Sequence, residues 1–144
     1  VSALLLDVNV LIALSWKTHP HYAAARAWFK ARPVRRWATC PMTECGYVRL
    51  SSNPRLVQGA ASVREAVESL RRLRAGTAHE FWLDDASLAD EPLFERLRGH
   101  QQVTDAYLLA LAARRKGKLA TFDQALSALA ESAGMSKHIL QIAA

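Results

Sequence analysis

Short apolar runs alternate with longer amphipathic stretches along the chain, and the two periods predict different elements. Ala3 to Leu6 is an apolar run bounded by Asp7, the pattern of a buried parallel strand, with a helix following from about Val8 to Trp16. His19-Pro20 is read as opening a second helix to about Arg32, with Tyr22, Ala25, Trp28 and Phe29 on one face and Pro33 as its stop. Trp37 to Thr39 is the next strand, and Pro41 begins a helix through about Ser51 that ends at Ser52-Asn53-Pro54. Ser62-x-x-Glu65 forms a capping-box pattern for a helix that places Val63, Val67, Leu70 and Leu73 inward and runs to Gly76. Beyond it the pattern predicts a strand at Phe81 to Leu83, a short helix at Pro92 to Arg98 and a strongly apolar helix from Val103 to Lys116, closed by Gly117. Strands at Leu119 to Phe122 and His138 to Ile142 complete the set, with a helix from about Gln124 to Ala133 between them.

Strands that alternate with helices in this way indicate an α/β fold with a parallel sheet covered on both faces. In such sheets ligands bind beyond the carboxyl ends of the strands, where strand order reverses. The length of 144 residues matches one domain spanning 1–144, long enough to bury about 70% of its unfolded surface without disulfides or zinc. Cys40 and Cys45 form no C-x-x-C pair and read as reduced, buried thiols of a cytoplasmic protein. The apolar opening has no preceding Lys or Arg and is broken by Asp7 and Asn9, unlike a secretory signal. No stretch approaches the ~20 consecutive apolar residues of a membrane span. Nineteen basic residues, fourteen of them Arg, stand against thirteen acidic ones, and the net charge of +6 suits phosphate contact as well as plain solubility.

Most acids have an ordinary explanation, since Glu68 precedes Arg71 and Arg72, and Glu95 precedes Arg98, at helix-pairing distance. Glu44 and Asp105 do not. Glu44 shares its helix face with Tyr47 and Val48, and Asp105 shares its own with Leu108, Leu109 and Ala112, so neither has a cation nearby in sequence. Asp7 ends the first strand and Asp123 follows the fourth, at the sheet edge where a crevice is expected. Asp84 and Asp85 also follow a strand, and any of these aspartates can instead be a helix cap or a first-turn acid. If Asp7, Glu44, Asp105 and Asp123 converge, a hard divalent cation such as Mg²⁺ or Mn²⁺ would offset their repulsion. His19, His21, His79, His100 and His138 lack the spacings of a zinc site.

Taken in order, Leu4-Leu5-Leu6-Asp7-Val8-Asn9-Val10-Leu11, Thr43-Glu44, Thr104-Asp105-Ala106 and Ala120-Thr121-Phe122-Asp123 resemble the PIN-domain ribonucleases, and within them the VapC-type toxins of toxin–antitoxin pairs. The resemblance spans nearly the whole chain. It implies a PIN-domain fold, with a central parallel sheet of strand order 3-2-1-4-5 and helices on both faces. That order sends the third strand, with Asp84 and Asp85, to an edge and sets Asp7 and Asp123 side by side at the centre. The family pattern makes Asp7, Glu44, Asp105 and Asp123 the acidic catalytic pocket that holds Mg²⁺ or Mn²⁺, with Asp7 and Asp105 as direct ligands. Asn9 and Thr121 match supporting polar positions.

The resemblance further implies hydrolysis of an RNA phosphodiester, in tRNA or rRNA, by a metal-activated water that Glu44 or Asp123 orients. It implies a homodimer and a cognate VapB-type antitoxin as partners. Apolar helix faces could receive such a partner or could all pack internally. Trp16 is the candidate for stacking on unpaired bases, whereas Trp28, Trp37 and Trp82 fall on apolar faces or strands and read as core. A catalytically silent PIN domain that binds RNA or protein is the alternative, against which stands the presence of all four acids. A haloacid-dehalogenase-like phosphatase would need a second aspartate where Asn9 stands, and a receiver-like module would need a Lys after a late strand. With four acids gathered in one pocket, the remaining surface would carry nineteen basic groups against nine acidic ones.

Overall fold

A computed structural model describes residues 2–76 and 78–143. Its centre is a five-stranded, wholly parallel sheet in the order β3-β2-β1-β4-β5. The strands are β1 (Leu4–Leu6), β2 (Trp37–Thr39), β3 (His79–Phe81), β4 (Lys118–Thr121) and β5 (Ile139–Gln141). The helices are α1 (Val8–Ser15), α2 (Tyr22–Ala31), α3 (Pro41–Ser51), α4 (Val63–Arg74), α5 (Val103–Arg114) and α6 (Gln124–Ser132). The strand order matches the one the family resemblance implies.

Side chains alternate across a strand, so β1 divides the core in two. Leu5 joins Leu119 and the buried run Ala106 to Ala112 of α5, together with Leu126 and Leu129 of α6. Leu4 and Leu6 face the opposite layer, with Leu11 of α1, Ala25 of α2, Tyr47 of α3 and Leu70 of α4. Because β1 is covered on both sides, all three of its leucines are fully buried, each contributing about 1.5–3 kcal/mol. The capping box of α4 forms as expected, with Ser62 Oγ accepting the Glu65 N–H and Glu65 accepting the Ser62 N–H, and Glu68 pairs with Arg71.

Val63, expected inward on α4, is instead exposed in its first turn, and four further expectations shift. The third strand lies two residues earlier than Phe81–Leu83, because β2 sets its register by pairing Trp37, Ala38 and Thr39 with His79, Glu80 and Phe81, which leaves Leu83 exposed. His19-Pro20 does not open α2. It sits in a turn closed by the Tyr22 N–H to His19 carbonyl bond, and the helix starts at Tyr22. The segment from Pro92 forms a 3₁₀ helix, Pro92–Arg96, rather than an α-helix. Cys40 is buried as expected, but Cys45 is exposed; both are free thiols.

Gly117 closes α5 in an unexpected manner. Lys116, not the glycine, takes the left-handed conformation (φ 58°), with its N–H on Ala113 O and the Gly117 N–H on Ala112 O. The glycine is required for a close approach instead, since a Cβ at Gly117 would lie 2.5 Å from the Ala3 carbonyl oxygen.

Candidate metal-dependent active site

Asp7 leaves β1 as the N-cap of α1 and is only 4% exposed. Its Oδ1 accepts the Val8 N–H at 2.8 Å, and its Oδ2 accepts the Thr121 hydroxyl at 2.7 Å. Thr121 ends the adjacent strand, β4, and its Oγ1 in turn accepts the Asp123 N–H at 3.0 Å. One buried hydroxyl, that of Thr121, therefore ties the two central strand ends together. Asp123 caps α6, its Oδ1 accepting the N–H groups of Ala125 and Leu126. Asp105 lies in the first turn of α5.

Burial and neighbouring charge act on Asp7 and Asp105. Burial, and secondarily the Asp123 charge, raise the Asp7 carboxyl above its ordinary value against the lowering effect of the Thr121 and Val8 hydrogen bonds. Burial first, then the charges of Asp7 and Asp123, push Asp105 up to about 6. Among the described residues, no Lys or Arg forms an ion pair with any of the three. Asp7 and Asp105 face a hollow of about 570 Å³ that is also lined by Asn9, Thr104, Asp84 and Arg49. A second hollow of about 390 Å³ adjoins it through Asn9 and is lined by Asp123, Phe122, His19, Pro20 and His21. Both open at the carboxyl ends of β1 and β4, where the strand order reverses.

Glu44 does not join this crevice, which corrects its expected place among the metal ligands. Successive turns of α3 present Met42, Cys45, Gly46 and Arg49 to the Asp7 hollow. Glu44 falls on the neighbouring face, where its Oε2 accepts the Thr39 hydroxyl at 2.6 Å and meets Arg74 Nη1 of α4 at 3.0 Å. Thr39 Oγ1 is also 2.8 Å from His79 Nε2. The absence of a cation four residues away from Glu44 therefore had a different cause: its partner arrives from another helix. Asp84, set aside as an edge residue, does reach the crevice. The loop after β3 folds back over the start of α3, and Asp84 Oδ2 accepts the Met42 N–H at 3.1 Å.

Trp16 is likewise tied down, its indole N–H donating to Ser51 Oγ at 2.8 Å while the half-buried ring packs against the core, away from both hollows. Trp37 and Trp82 are buried, and Trp28 is half-buried against the same core layer as Trp37. Arg49 was missed by the sequence reading. Its position seven residues after Met42 and three after Gly46, on one face of α3, was the available signal.

The donor set suits a hard divalent cation. Asp105 has no hydrogen bond and Asp123 Oδ2 accepts none among the described residues, so both keep oxygens available, and all donors are oxygens, as Mg²⁺ and Mn²⁺ prefer. No three His, Cys, Asp or Glu side chains among the described residues converge closely enough to enclose an ion. An ion held by one or two carboxylates and its own waters is the Mg²⁺ pattern.

A family model for the PIN domain matches residues 4–132, so the fold and this crevice belong to a PIN-domain protein. Within that family the chain belongs with the VapC ribonucleases. Ribonuclease VapC38 of Mycobacterium tuberculosis is 47% identical over 127 residues, covering 88% of this chain and 89% of its own. Ribonuclease VapC39 of the same organism is 47% identical over 133 residues, covering 91% and 95%. The crystal structure of Mycobacterium tuberculosis VapC20, a sarcin–ricin-loop-cleaving toxin, superimposes with a TM-score of 0.65 at 17% identity, covering 88% of this chain and 94% of that one; the likeness is one of fold. No described helix is long and apolar enough to cross a membrane.

Proposed function

We propose that this protein is a metal-dependent endoribonuclease, the toxin of a type II toxin–antitoxin pair, that hydrolyses phosphodiester bonds of tRNA or rRNA and so arrests translation and growth. In this reading it works in the cytoplasm as a homodimer and is silenced by a VapB-type antitoxin. The observation that carries the reading is the clustering of Asp7, Asp105 and Asp123 around two adjoining hollows at the reversal point of the sheet, with the Asp7 and Asp105 carboxyls raised and none of the three paired with a described cation.

Asp7 and Asp105 would hold Mg²⁺ or Mn²⁺, with Asp123 beside them. The bound ion supplies charge neutralisation at the phosphate and a water of lowered pKa. Thr121 and the Val8 N–H fix both oxygens of Asp7 in place, so the carboxylate needs no reorganisation when substrate arrives. Asp123, anchored by its α6 cap, keeps Oδ2 to accept a proton from the attacking water. Arg49, exposed at the rim, would pair with a substrate phosphate. Asn9, between the two hollows, offers an amide to the sugar–phosphate backbone.

Incubation with structured RNA and Mg²⁺ or Mn²⁺ should give discrete cleavage that a chelator stops, and Asp7→Asn should reduce the rate by a factor of about 100 or more, as removal of a group acting only in the transition state does. Undiminished cleavage by Asp7→Asn would overturn the assignment.

A further inference from the structure

The hollow beside Asp123 contains groups that the hydrolytic reaction does not use. His19 and His21 leave the α1–α2 turn and meet Phe122 from the β4–α6 turn in a short row. The His19 and His21 ring centroids are 5.6 Å apart, and those of His21 and Phe122 are 5.2 Å apart with 28° between the ring planes, a stacked arrangement.

The row is built on fixed backbone. The His21 N–H donates to His19 Nδ1 at 3.0 Å, and the His21 carbonyl accepts the Ala25 N–H in the first turn of α2. The Phe122 carbonyl accepts the Gln141 amide at 2.9 Å, which secures the other side. Since His19 Nδ1 is an acceptor, the neutral ring carries its proton on Nε2 and keeps that donor for another partner. His19, His21 and Phe122 all remain partly exposed around a hollow of about 390 Å³, which shares Asn9 with the Asp7 hollow. Among the described residues the histidines form no metal-holding cluster. A pre-set aromatic row, open on one side and one residue removed from the reacting centre, has the chemistry of a platform for an unpaired base.

We propose that His21 and Phe122 form a stacking site for the unpaired base that flanks the scissile phosphate, with His19 as a hydrogen-bond donor to that nucleotide. This rests on the RNA-cleavage reading and adds to it a specificity-determining subsite. It also places the stacking function expected of Trp16 on a different set of rings, beside Asp123.

The test uses Asp7→Asn protein, which retains RNA uncut, and a single-stranded RNA octamer with 2-aminopurine at its centre. Binding should quench the 2-aminopurine fluorescence. Adding His21→Ala should abolish most of the quench and weaken binding roughly fivefold or more, the lower end of what one base–aromatic stack gives. His21→Phe should restore both, which a mere folding defect in His21→Ala would not explain. An octamer with an abasic centre should bind equally with His21 or Ala at the position. Equal quenching and affinity in His21→Ala, or the same loss for the abasic octamer, would overturn the subsite. Cleavage of structured RNA by the otherwise unaltered protein and by His21→Ala is followed in parallel. Asp7-dependent cleavage that is indifferent to His21 overturns the subsite alone, whereas no cleavage by the unaltered protein overturns the parent reading.

Discussion

At the scale of single residues, the crevice holds carboxyls made unfavourable as anions by burial first and by neighbouring charge second. A carboxyl raised from 3.8 to about 6, as Asp105 is, binds its proton more tightly in the folded than in the unfolded chain. The folded state therefore carries the excess proton between those two values, and stability falls as pH rises through this window. His79 works in the opposite sense. Burial, reinforced by the Arg74 charge, lowers it to about 4, so the unfolded chain binds the excess proton between about 4 and 6.5 and stability rises with pH there. The two trends partly cancel in the unaltered protein, and a substitution separates them. Two pKa units correspond to about 3 kcal/mol, and partial exposure of Asp105 reduces this to about 1–2 kcal/mol. Asp105→Asn should thus stabilise the metal-free protein by about that amount at pH 7.5 and by almost nothing near pH 4, as read from urea melts in a chelator. Equal effects at both pH values would show that Asp105 does not bear this strain.

Position alone does not single out the site acids in sequence, since Asp84 and Asp85 also follow a strand; the family resemblance does. Asp7, Asp105 and Asp123 each sit at a strand end or in the first turn of a helix, and strand ends are where the fold collects its chemistry. Glu44 was misjudged because pairing at i±3 and i±4 sees only its own helix, whereas Arg74 lies thirty residues on. Asp84 was misjudged for the converse reason: an edge strand does not prevent its loop from returning across α3.

At the scale of elements, the sequence pattern located the five strands and six α-helices of the described residues, and the errors lie where tertiary contacts overrule local preference. The Phe-Trp-Leu run looked like the core of β3, yet an edge strand takes its register from its neighbour, and Trp82 is buried just beyond the strand's end. Glycine signalled the end of α5 correctly, but its function is clearance rather than a left-handed turn. Gly117→Ala would thrust a Cβ to within 2.5 Å of the Ala3 carbonyl oxygen, which cannot move without disturbing β1, the strand that begins at the next residue and leads to Asp7. The expected cost is about 2 kcal/mol or more, measured as a lower denaturation midpoint at unchanged m-value. Activity should fall further than the folded fraction does, because the displaced strand leads directly into the active site.

At the scale of the whole molecule, the charge distribution gains meaning from the exchange of Glu44 for Asp84. The crevice still gathers four carboxylates, Asp7, Asp84, Asp105 and Asp123, with Arg49 at its rim, so eighteen basic groups against nine acidic ones remain outside it. Glu44 now belongs to that outer set, where it neutralises Arg74 rather than a metal. On the proposed function, an acidic crevice in a basic shell would attract a polyanion by its backbone, and a bound cation would offset the carboxylates as the scissile phosphate approaches. Binding of single-stranded RNA to Asp7→Asn should therefore weaken steeply with salt. With about four phosphate contacts the slope of log K against log[salt] is about −2.8, or roughly 50-fold in affinity between 50 and 200 mM. Arg49→Ala should reduce that slope by about 0.7 for every RNA sequence tested, since a phosphate contact carries no base information. A slope near zero would mean that the basic excess serves solubility alone, and an Arg49 effect confined to one sequence would move this side chain from the backbone to a base.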